Sequence, residues 1–159
     1  YEGNIRTMIL EYKFKDKSYL YKFFSEIIVN NCNLKNKYDI ILPVPIHKKR
    51  KLQRGYNQSE LIAKDIAKNI DIEYSNSVLQ KIKNTLPQSS LNKSQRINNV
   101  LGVYSIIKPQ YINDKKIILM DDIYTTGSTV DAAASALKAC GISEIFFIAI
   151  CIGHGDMVY

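Results

Sequence analysis

The residues best equipped for chemistry stand together at Asp121-Asp122-Ile123-Tyr124-Thr125-Thr126-Gly127-Ser128-Thr129. Two adjacent carboxylates can accept hydrogen bonds from a pair of sugar hydroxyls or hold a hydrated magnesium ion, but they repel a bare phosphate. The turn that follows has the opposite character. Its threonine and serine hydroxyls, successive backbone N–H groups and one glycine suit an anion. Carboxylates and turn must therefore grip different ends of one ligand, and a sugar phosphate has such ends.

The flanking elements can hold these groups in place. Ile117 to Met120 is a continuous apolar run with β-branched residues, as a buried parallel strand requires. Val130 to Cys140 carries Val130, Ala133, Ala134 and Leu137 at helical spacing, with Gly141 as its stop. The turn thus sits at a helix start, where N–H donors lack partners and the dipole favours negative charge. An ordinary strand-turn-helix capped by Asp or Thr is the bland alternative, and the length and order of the motif speak against it.

Four apolar residues, two acids, two further residues and a Thr-Gly loop resemble the binding motif of type I phosphoribosyltransferases, which hold 5-phosphoribosyl 1-pyrophosphate. The resemblance implies that Asp121 and Asp122 contact the ribose hydroxyls and that Thr125, Thr126, Gly127, Ser128 and Thr129 cradle the 5'-phosphate. It implies magnesium carried with the ligand rather than held by protein alone. Pro43-Val44-Pro45-Ile46-His47, Arg54-Gly55-Tyr56-Asn57-Gln58, Leu86-Pro87-Gln88-Ser89 and Arg96-Ile97-Asn98-Asn99-Val100 narrow this to the ComF branch, linked to natural competence and DNA uptake. That branch implies single-stranded DNA and proteins of the uptake machinery as partners. Many ComF proteins carry an amino-terminal zinc module. Here Cys32, Cys140 and Cys151 form no CxxC pair, so zinc is expected only if such a module exists outside this chain.

The second cluster is Lys48-Lys49-Arg50-Lys51-Leu52-Gln53-Arg54-Gly55, read as a loop between the first strand and its helix. In the resembled fold it faces the pyrophosphate end of the ligand. Arg54 with Gly55 is the best match there, because Arg offers a fork to phosphate oxygens and Gly allows close approach. Nucleic-acid phosphates are a second reading, which a net charge of +7 and a pI near 9.2 also serve. A solvated basic loop is the third. Residues 85–96 have loop composition. The resemblance makes them a closing loop with Gln88, Arg96 and Asn99 as contacts. His47 has two readings, a ligand contact or a backbone bond.

Length and composition bound the rest. A chain of 159 residues, 46% hydrophobic and 23% charged, suits one core, hence a single domain over residues 1–159 with a helical lead-in over 1–36. Ile5, Met8, Ile9 and Tyr12 form one amphipathic helix; Leu20, Phe23, Phe24, Ile27 and Ile28 form another after a Ser18 cap. Asp39 to Val44 reads as a buried strand, and Asn57-Gln58-Ser59-Glu60 as a capping box before a helix through Ile70. Tyr74 to Lys83 reads as a short strand and turn, with further strands at Gly102 to Ile107 and Ile145 to Ile152. The order gives an α/β fold of the type I phosphoribosyltransferase-like kind, a mostly parallel twisted sheet flanked by helices. Cys140 and Cys151 read as buried thiols. No GxxxxGK[ST] motif occurs, which excludes a P-loop hydrolase. No apolar run reaches a membrane span and no basic-then-apolar leader appears, so a cytoplasmic location is expected.

Overall fold

A computed structural model describes residues 4–14, 17–83 and 102–153. Gln88, Arg96, Asn99 and the whole of the expected closing loop, residues 85–96, lie outside them. Along the chain run α1 (Asn4–Phe14), α2 (Tyr21–Asn31), β1 (Ile40–Pro43), α3 (Lys48–Arg54), α4 (Gln58–Ile70), β2 (Glu73–Tyr74), β3 (Leu79–Lys81), β4 (Tyr104–Ile106), β5 (Ile117–Tyr124), α5 (Ser128–Lys138) and β6 (Ile145–Ile152). Four strands form a parallel sheet in the order β2-β1-β5-β6, and β3 pairs antiparallel with β4. This is the mostly parallel, helix-flanked α/β architecture that the strand-helix order predicts.

Alternation along the strands divides the core in two. Ile41, Ile118, Met120 and Ile148 pack with Ile9, Tyr12, Phe24, Ile28, Ile62 and Ile66 from α1, α2 and α4. Ile40, Leu42, Ile117 and Leu119 point the other way, onto Ala133 and Leu137 of α5 and onto Val103 and Tyr104. Each fully buried branched side chain contributes about 1.5–3 kcal/mol, so strand register is firmly set on both faces. Asp121 and Asp122 continue the same alternation, one on each face.

β5 is longer than the apolar run predicts. It pairs with β1 only through Pro43↔Met120 but with β6 through Tyr124↔Ile152. The Pro43-Val44-Pro45 stretch ends β1, since proline cannot extend a ladder. The acids therefore lie within β5, in the half that has lost β1 as neighbour.

Several local expectations are corrected. The basic run is helical: His47 caps α3 through Nδ1, accepting from the Lys49 N–H at 3.3 Å, and Gly55 with φ +79° ends it. Asn57 precedes α4 but makes no side-chain cap; its Nδ2 donates to the Val44 carbonyl at 3.1 Å, left over where β1 stops. Glu60 accepts from Lys51 and Asn76 instead of closing a capping box. Ser18 opens a 3-10 turn and α2 starts at Tyr21 without a side-chain cap. On α2, Phe24 and Ile28 are buried while Phe23 and Ile27 are exposed. Cys140 and Cys151 are partly rather than fully buried.

Candidate sugar-phosphate site

Where β1 stops, β5 needs new partners for its backbone. The Met120 carbonyl still accepts from the Val44 N–H at 2.8 Å. Two residues on, the Asp122 N–H faces the same vacated side and donates to Asp121 Oδ1 at 2.8 Å. The Ile123 N–H likewise donates to Asp122 Oδ1 at 2.8 Å. These local bonds limit how each carboxylate can turn. Ser59, near the start of α4, adds a buried bond to Asp121 Oδ1 at 3.1 Å.

The turn follows directly. Gly127 has φ +78°, and a Cβ there would lie 2.7 Å from the Tyr124 hydroxyl, so only glycine fits without displacing it. Gly127 also precedes α5, which begins at Ser128 rather than Val130. Thr126 Oγ1 and Ser128 Oγ are 3.0 Å apart. Among the described residues, the N–H groups of Thr125, Thr126, Gly127 and Ser128 meet no turn, loop or cap carbonyl, as an anion-binding helix start requires.

The basic helix splits by side. Lys48, Lys49 and Lys51 are exposed, and Lys51 Nζ pairs with Glu60 at 2.7 Å. Arg50 and Arg54, one turn apart, are partly buried. Burial and the neighbouring Arg54 charge lower the Arg50 pKa, against the pull of Tyr104 and Asp122. Gly55 is exposed, with open space around it.

Two contributors escaped sequence reasoning. Lys81 on β3 sits opposite Tyr104 on β4, its Nζ 5.7 Å from the ring centroid. Burial, with Arg50 nearby, pushes the Lys81 ammonium down to about 8, while Asp121 pulls it back. Burial and the Asp121 charge raise the Tyr104 phenol, which Arg50 opposes. Arg50 thus feels the charge of Asp122 and Lys81 that of Asp121, each cation partly buried. No sequence signal marked Lys81, since only the strand pairing brings it there. Across the sheet, Tyr12 is buried and donates to the Gln58 carbonyl at 2.8 Å, and burial, Tyr56 and Asp122 raise its pKa. Tyr56 in turn donates to the Tyr12 carbonyl at 2.5 Å.

Among the described residues no three His, Cys, Asp or Glu side chains converge as a metal site. Two adjacent carboxylates suit the oxygen-ligand chemistry of a hydrated magnesium ion. No helix among the described residues is long and apolar enough to cross a membrane.

Residues 57–156 match the model of the phosphoribosyl transferase domain. Competence protein F of Haemophilus influenzae is 31% identical over 108 residues, 67% of this chain and 47% of that protein. Competence protein ComFC of Streptococcus pneumoniae is 28% identical over 145 residues, 91% of this chain and 62% of that protein. The chain thus spans about half to three fifths of the length of these relatives. Adenine phosphoribosyltransferase from Thermoanaerobacter pseudethanolicus superposes with a TM-score of 0.53 at 15% identity, over 92% of this chain and 86% of that one, a likeness of fold. Motif, sheet order and relatives agree: the chain belongs to the phosphoribosyl transferase domain family, in its ComF branch.

Proposed function

We propose that this chain is a ComF-like phosphoribosyl pyrophosphate-binding protein of natural competence that handles single-stranded DNA taken up into the cytosol. The observation that carries the reading is the end of β5. Paired acids lead there into a turn whose N–H groups meet no described turn, loop or cap carbonyl, and the charges of Arg50 and Lys81 are felt at Asp122 and Asp121. Asp121 and Asp122 would accept from the ribose hydroxyls, and Thr125 to Thr129 would cradle the 5'-phosphate. Arg50, Arg54 and Lys81 would face the pyrophosphate. Magnesium, when bound with the ligand, supplies charge neutralisation at the pyrophosphate. Lys48 and Lys49, on the outer side of α3, would meet DNA phosphates. The relatives named competence proteins support the biological role.

Phosphoribosyl pyrophosphate with magnesium at about 100 Kd should stabilise the fold by about 2.7 kcal/mol. That is a rise of roughly 5–10 °C in Tm for a chain of this size. Changing Asp121 and Asp122 together to Asn should abolish the rise. An unmodified protein that shows no shift would remove the reading.

The cations favour a second reading, a magnesium-dependent transferase passing ribose 5-phosphate to a nitrogenous acceptor. The acceptor nitrogen would form a bond to ribose C1 as the C1–O bond to pyrophosphate breaks. Arg50 and Lys81 would stabilise the departing negative charge. Pyrophosphate release assayed across nitrogenous acceptors separates enzyme from binder.

A further inference from the structure

We infer that Ser59 is a positioning residue for the ribose end of the site: its hydroxyl fixes the Asp121 carboxylate in the orientation that accepts from a sugar hydroxyl. This rests on the reading of Asp121 as ribose-binding.

Serine at a helix start ordinarily turns its oxygen back on its own N–H groups. Ser59 does not. It is 2% exposed, and its Oγ crosses 62 positions of sequence to donate to Asp121 Oδ1 at 3.1 Å. The same oxygen takes the Asp122 N–H at 2.8 Å. Two donors on one carboxylate oxygen, from different elements, define the plane of the group as one bond cannot. The donor from Asp122 belongs to the same strand and moves with it. Ser59 brings an independent reference, the start of α4, which is itself anchored by the Asn57 bond to Val44 at the end of β1. The carboxylate is therefore set relative to the ends of both β1 and β5. A site that recognises a hydroxyl by one carboxylate gains most from such fixing, because the bond weakens steeply off line.

A residue that acts through Asp121 bears on the sugar end of the ligand and not on its phosphates, which separates positioning from general support. The test is calorimetric titration of the protein with two magnesium-loaded ligands, phosphoribosyl pyrophosphate and pyrophosphate alone. Ser59→Ala should weaken the first roughly tenfold, as losing the sugar hydroxyl's bond to a misaligned carboxylate would, and leave the second within about twofold. Ser59→Thr, which restores a hydroxyl, should recover most of the loss. Unchanged affinity for phosphoribosyl pyrophosphate in Ser59→Ala would overturn the inference, and so would equal loss for both ligands, or loss that Thr fails to recover. Should the Ala variant not fold, Ser59→Cys, close in shape but a weak donor, takes its place with the same expected pattern. An unmodified protein that binds neither ligand overturns the functional reading and this inference with it; one that binds normally while Ser59→Ala matches it overturns the inference alone.

Discussion

Gly127 joins two demands in one residue: a left-handed backbone at φ +78° and no room for a side chain beside the Tyr124 hydroxyl. Gly127→Ala should cost about 1–2 kcal/mol from the backbone alone, read by chemical denaturation, and remove the ligand-dependent rise in Tm. Lys81 gives a pH signature. Its folded value, about 8, lies below its ordinary 10.5, so the unfolded chain holds this proton more tightly. The resulting penalty is complete below about pH 8 and is relieved as pH climbs from there towards 10.5. A bound polyanion works the other way, favouring the ammonium form. Binding of magnesium pyrophosphate at pH 9 should therefore take up protons and weaken as pH rises further, as titrations in buffers of different ionisation heat would show. Lys81→Met should lose the uptake.

At the scale of elements, the motif-bearing strand, turn and helix were legible because their signal is local: an apolar run, paired acids, a Thr-Gly turn, then alanines at helical spacing. Contacts made at long range were not. Lys81 comes within the charge of Asp121 only through β3–β4 pairing, and Ser59 meets that carboxylate only because α4 starts beside the end of β5. The capping-box pattern misled because the Val44 carbonyl offered Asn57 a buried partner, and tertiary demand overrode the local rule. The five cations in seven residues read as loop, yet a cap from His47, the Lys51–Glu60 pair and the turning inward of Arg50 make a helix of them. α1 is tied to the turn between α3 and α4 by the Tyr12 and Tyr56 hydroxyls. Tyr12→Phe should leave a buried carbonyl short of a donor and cost about 1–3 kcal/mol in denaturant unfolding.

Over the whole molecule, the excess of 22 Lys and Arg over 15 Asp and Glu favours polyanions of every kind, so charge alone does not choose between nucleotide and DNA. On the proposed reading the two sides of α3 divide these partners, with Lys48 and Lys49 outward and Arg50 and Arg54 partly buried. Lys48→Ala with Lys49→Ala should weaken binding to a labelled single strand, lower its salt dependence by about two contacts, and leave phosphoribosyl pyrophosphate affinity nearly unchanged. Equal DNA affinity in that variant would place the strand elsewhere on the surface.

β5 outruns β1 by four residues, from Asp121 to Tyr124, and among the described residues pairs there with β6 alone. A ligand held by Asp121 and Asp122 would lie along the stretch of β5 that β1 does not pair, so its binding should be felt as slowed amide exchange along that overhang, well beyond the residues it touches.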